Sequence, residues 1–189
     1  MSIIALPTRD VSIVSLIAAG HPAPPKSLLN LPVGTPAAQI AVRADTAAQR
    51  SLTAAAIDRA MLEADRRVLL VAHGIGCAAA AWWARLSPRP YVERVAGALL
   101  IAPDSDGSDG RAFASPRSAL PFPTLVLGAT DAAQRLSDEW GARLIDGPLP
   151  APERTATRRL HAMILRFTGA IVERDAQQAR RLLAMIGDS

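Results

Sequence analysis

From Arg67 the chain reads Arg-Val-Leu-Leu-Val-Ala-His-Gly-Ile-Gly-Cys, and an alanine-rich run follows as far as Trp83. After Arg67, residues 68–72 are all apolar and include the β-branched Val68 and Val71, which suits a buried strand. Gly74 and Gly76 flank a tight turn of small residues, and a helix is expected to leave it over about residues 76–86. A strand apolar along its whole length, turning directly into a helix, is the building unit of a parallel sheet covered on both faces.

The rest of the chain supplies more such units. Val11 to Ile17 is short and β-branched and reads as a strand, and Ala38 to Val42 as a second, weaker one. Between them, His21 to Pro36 is too rich in proline for a long helix. Thr46 with Gln49 three residues on is a capping-box signature for a helix to about Ala64, with Leu52, Ala56, Ala60 and Met61 on one face. Val95 to Ala102 reads as a buried strand, Pro103 to Ala119 as a polar loop, and Pro123 to Gly128 as a strand. Ala132 to Trp140 reads as a helix and Ala142 to Asp146 as a short last strand. The fold class expected is α/β: a single domain over residues 1–189, with a small open parallel sheet, helices on both faces and no internal repeat.

The segment from about Thr155 to Ile186 carries an apolar stripe at helical spacing: Leu160, Met163, Ile164, Phe167, Ala170 and Ile171, resuming at Ala179, Leu182, Leu183 and Ile186. Unbroken, that helix would be about 45 Å long. Two arrangements fit it. One is a helix packed on the sheet, with a second after a bend. The other is a projecting arm that pairs with a second copy to make a homodimer.

Composition narrows the classes of partner. The net charge of +4 comes almost wholly from arginine, since Lys26 is the only lysine. The arginines are scattered and mostly stand near acidic residues, with no basic run interleaved with aromatics, so no nucleic-acid partner is expected. No apolar run reaches the roughly 18 residues of a membrane span, so no membrane association is expected. Val11 to Gly20 could pass for the apolar core of a secretory signal, but Asp10 adjoins it and only Arg9 precedes it, which favours a first buried strand. A single cysteine, Cys77, excludes an internal disulfide and suggests a reducing, cytoplasmic setting. With one Cys and three scattered His, there is no metal-ligand spacing and no metal or other cofactor is expected.

The segment Val71-Ala72-His73-Gly74-Ile75-Gly76-Cys77 resembles the Val-Ala-His-Ser-Leu-Gly-Cys nucleophile elbow of small α/β-hydrolases, in particular the YdeN-like, retinoblastoma-binding-protein-9-like serine hydrolases. The similarity continues through Trp82-Trp83-Ala84, residues 94–103, Leu120-Pro121-Phe122-Pro123 and residues 140–146, and covers roughly residues 45–147. It implies an α/β-hydrolase fold with a serine, an acid and a histidine in that chain order. In such a triad the histidine takes the serine's proton and the acid holds its tautomer.

Carried over position by position, the serine falls on Gly74 and the acid on Asp131. The histidine is expected soon after Asp146, where the chain reads Gly147-Pro148-Leu149-Pro150-Ala151. The first loop, which in the family lends an N–H to the oxyanion hole, is altered here to Ala18-Ala19-Gly20-His21-Pro22.

These departures make the expected function that of a non-catalytic pseudo-hydrolase, acting as a ligand-binding or regulatory protein. Gly74 is then a vacant nucleophile position and Asp131 a relic acid. His73, Ile75 and Gly20 surround a small-molecule or anionic ligand, drawn by the helix N-terminus after Gly74. Asp131 reads equally well as a helix N-cap, with Gln134 three residues on. Cys77 is expected to be a small buried thiol rather than a reactive one. Two alternatives stand beside this reading. One is a weakly active, esterase-like hydrolase with a non-standard site. The other is nucleotide binding through Gly74-x-Gly76-x-x-Ala79, a partial dinucleotide fingerprint.

Overall fold

A computed structural model of the chain describes residues 11–19, 38–103, 113 and 118–145. Six strands, β1 (Val11–Ala18), β2 (Ala38–Val42), β3 (Arg67–His73), β4 (Val95–Ile101), β5 (Thr124–Leu127) and β6 (Arg143–Ile145), form one sheet in the order β2-β1-β3-β4-β5-β6. Every neighbouring pair is parallel. The described helices are α1 (Ala47–Glu63), α2 (Ile75–Leu86), α3 (Arg89–Val92) and α4 (Asp131–Trp140). Within the described residues the expected strands and helices are present to within a residue or two, and the short α3 is an addition that the sequence reading lacked.

The sheet is buried on both sides, which is why its central strands are apolar without alternation. On one side Leu16, Leu70, Ala72 and Leu100 pack with Ile57, Met61, Cys77, Trp83 and Trp140 from the helices. On the other, Ile13, Leu69, Val71, Leu99, Ile101, Leu125 and Leu127 form a second buried cluster that no residue of the four described helices joins. The Pro-rich stretch and the C-terminal stripe over residues 155–186 lie outside the described residues.

Helix α1 begins on the expected capping box: Gln49 N donates to Thr46 Oγ1 at 3.2 Å, and Thr46 N donates to Gln49 Oε1 at 3.2 Å. Of the face expected, Ala60 and Met61 are buried and Ala56 packs partly buried against the core, but Leu52 does not join them. Thr53, Ile57, Ala60 and Met61 are buried, whereas Leu52 is 70% exposed. So many alanines leave the helix with little contrast between its faces. The Thr53 hydroxyl donates to the Arg43 carbonyl at 3.4 Å, and that bond lets a polar residue take the inner stripe in place of Leu52.

The topology itself marks a location. From β1 the chain passes outward to β2, returns beyond β1 to β3, and then winds the other way through β4, β5 and β6. The winding reverses between β1 and β3. In open α/β sheets, ligands bind outside the carboxyl ends of the strands at such a reversal. Gly74 stands at the carboxyl end of β3.

Candidate functional site

The turn after β3 is built from backbone contacts. Gly74 has φ 55° and ψ −124°, a conformation that L side chains rarely adopt, and it serves as the N-cap of α2. Its N–H donates to the Ile101 carbonyl at 3.1 Å, and its carbonyl accepts from Cys77 N at 3.0 Å. A Cβ built at Gly74 meets nothing within 4 Å among the described residues.

Two residues on, the constraint is distance. A Cβ on Gly76 would lie 2.5 Å from the Leu16 carbonyl oxygen. Only glycine lets the start of α2 press this closely against β1. That contact accounts for the second glycine of the partial dinucleotide fingerprint by helix–strand packing, without a pyrophosphate.

The expected site residues fall into three groups. His73 ends β3 opposite Ile101 and is half-buried. The Ile75 side chain is 9% exposed and packs in the core, so only its backbone N–H can serve a ligand. Ile75 and Gly76 open α2 ahead of its first backbone bond, and N–H groups in that position are not used by the helix itself. Gly20, His21, His161 and residues 146–151 lie outside the described residues.

Asp131 opens α4 and is exposed. The capping role read for it belongs to its neighbour: Thr130 is the N-cap, and its Oγ1 accepts from Ala133 N at 3.1 Å. A threonine hydroxyl one residue earlier meets the helix entry geometry. Asp131 thereby places its charge in the first turn, where the helix dipole favours an anion.

Cys77 is 0% exposed beneath the turn. Its thiol donates to the Ala72 carbonyl at 3.4 Å and the Ile101 carbonyl at 3.6 Å, tying together the ends of β3 and β4. Burial pushes its pKa up to about 12, so it stays a neutral thiol and is no nucleophile.

One further residue at this edge escaped the sequence reading. Ala102, directly after β4, has φ 44° and donates its N–H to Leu127 O at 2.7 Å. It is the one described non-glycine residue with positive φ. A residue before proline is ordinarily extended, so nothing in Ala102-Pro103 announced it. Among the described residues, no cluster of His, Cys, Asp or Glu could hold a metal ion, and no helix is long and apolar enough to cross a membrane.

A single parallel sheet with a strand–turn–helix at its switch point defines an α/β-hydrolase-like fold. The chain belongs to the serine hydrolase family, whose family model matches residues 34–151. Among solved structures, one described as a YdeN-like hydrolase from Pectobacterium atrosepticum is similar at a TM-score of 0.61 and 19% identity, over 86% of this chain and 92% of its own. RedJ, solved with PEG bound in its active site, is similar at a TM-score of 0.55 and 13% identity, over 83% of this chain and 89% of its own. At such identities the likeness establishes the fold alone. No curated protein matches the sequence.

Proposed function

We propose that this member of the serine hydrolase family is a pseudo-hydrolase, which binds a small anionic or polar ligand over Gly74 without turning it over. The observation that carries the reading is a residue with no side chain at the switch-point turn, held in the strained torsion of a nucleophile elbow with no described residue within 4 Å of where a Cβ would stand. Without a hydroxyl at 74, the turn has nothing with which to attack a carbonyl. Downstream of His73 the chain holds no histidine before His161, which leaves the stretch after β6 without the expected base. Binding is supported by the N–H groups of Ile75 and Gly76 and by the dipole of α2, which favour an anion.

A fluorophosphonate probe and a p-nitrophenyl ester test the catalytic half. The chain is expected to remain unlabelled and to hydrolyse the ester no faster than buffer. Stoichiometric labelling of any serine would establish the weakly active hydrolase instead. Gly74→Ser is expected to fold, to lose about 1–3 kcal/mol from placing a side chain in this torsion, and to gain no esterase activity. Titration with a panel of small carboxylic acids, read by amide shifts at Ile75 and Gly76, tests the binding half, and unmoved amides would remove it.

A further inference from the structure

One face of the sheet is buried by something other than the described helices. Leu69, Val71, Leu99, Ile101, Leu125 and Leu127 are each at most 5% exposed, yet α1, α2, α3 and α4 contribute no residue to their cluster. We infer that this face, centred on β3, β4 and β5, is the docking surface for the chain's own C-terminal segment, residues 160–171. It serves that role whether or not the turn at Gly74 is catalytic.

The strand order keeps the other connections off this face. From β2 to β6 the chain crosses the sheet in one direction, and α1, α2 and α4, which make three of those links, all pack in the first cluster on the opposite face. Crossovers between parallel strands share one hand, so links made in one direction stay on one face. The link from β4 to β5 follows suit, with its Phe113 buried in the first cluster. The link from β1 to β2 runs the other way, out to the edge of the sheet, and leads away from β3, β4 and β5. Residues 1–10 offer only the short apolar run from Ile3 to Leu6.

Residues 160–171 have the pattern and the length that the face needs. Leu160, Met163, Ile164, Phe167, Ala170 and Ile171 repeat at helical spacing. A helix over them would be about 18 Å long. The strands β1, β3, β4 and β5 lie side by side, about 14 Å from first to last, so one such helix spans the face. The segment follows β6, the neighbour of β5, and residues 146–159 give it ample reach. Packing of its apolar stripe is what would hold such a helix in place. The face includes Ile101, whose carbonyl accepts from Gly74 N–H, so the docked segment backs the strand that anchors the turn.

The aromatic residues supply the test. The chain has three Trp, one Tyr and three Phe. Trp82, Trp83, Tyr91, Phe113, Phe122 and Trp140 all lie in or against the first cluster, so a ring of this chain that touches the other face belongs to Phe167. Nuclear Overhauser spectra of the full chain, with ¹³C-labelled leucine methyls, are expected to show aromatic cross-peaks at Leu99, Leu125 and Leu127. Those cross-peaks should vanish in Phe167→Leu, which keeps the stripe apolar and should leave the amide spectrum of the sheet in place. A mixture of labelled and unlabelled copies should show no cross-peak between chains. Methyls of this face without an aromatic partner would overturn the assignment, and so would cross-peaks that survive Phe167→Leu. Cross-peaks found only between chains would also overturn it, and would make the segment an arm that pairs with a second copy.

Discussion

A Cβ added at Gly76 lands against the Leu16 carbonyl, whereas one added at Gly74 meets no described residue within 4 Å, so the two glycines answer to different forces. Gly76→Ala must push α2 off β1, and a loss of about 1–3 kcal/mol is expected in denaturant unfolding. Unchanged stability would mean that the helix start can shift freely. Cys77 gives a pH signature. Its folded pKa is raised, so the stability drawn from the neutral thiol is intact below the ordinary thiol value of 9.0 and is lost as pH rises towards about 12. Over that window the wild type should lose up to about 1.4 kcal/mol per pH unit more than Cys77→Ala. Parallel pH profiles for the two proteins would contradict the burial argument. The sequence marked Cys77 as a buried, unreactive thiol, and the structure bears that out. The glycines and the cysteine could be placed at the turn, but not the close approach to Leu16 or the two carbonyls that hold the thiol.

Elements were more legible than their orientations. β3 and β4 declared themselves because a strand buried on both faces needs uninterrupted apolar residues. α1 was found from its capping box and its inner face from Ala56, Ala60 and Met61, but Leu52 was misplaced, because hydropathy ranks it above Thr53 and takes no account of a carbonyl waiting at Arg43. At α4 the sequence reading considered only Asp131 for the cap, and the hydroxyl of Thr130, one residue earlier, takes it. Thr130→Ala should therefore cost about 1 kcal/mol. Asp131→Ala, which removes only a charge from the first turn, should cost about 0.5 kcal/mol. Thermal unfolding of the two variants ranks them, and the reverse order would return the cap to Asp131. The remaining member of the candidate site, Ala102, shows its strain only once β4 and β5 are paired.

Across the whole molecule, β3 separates two chemically different ends. Gly74 follows its last residue and Arg66 precedes its first, so the two lie about 26 Å apart at about 3.3 Å per residue. Changes at such a distance, with no shared partner, should add. The double variant Gly74→Ser, Arg66→Ala is expected to match the sum of the single variants within about 0.5 kcal/mol, and a larger discrepancy in denaturant unfolding would show that β3 couples its two ends. The strained torsion at 74 has a consequence of its own. It is held by a hydrogen bond from its N–H to the Ile101 carbonyl, by the seat of α2 against Leu16 and by a thiol beneath, and no atom of a residue-74 side chain takes part. The scaffold is thus a ready blank for enzyme design. New chemistry at this spot would need only grafted functional groups, with the polypeptide path already in place.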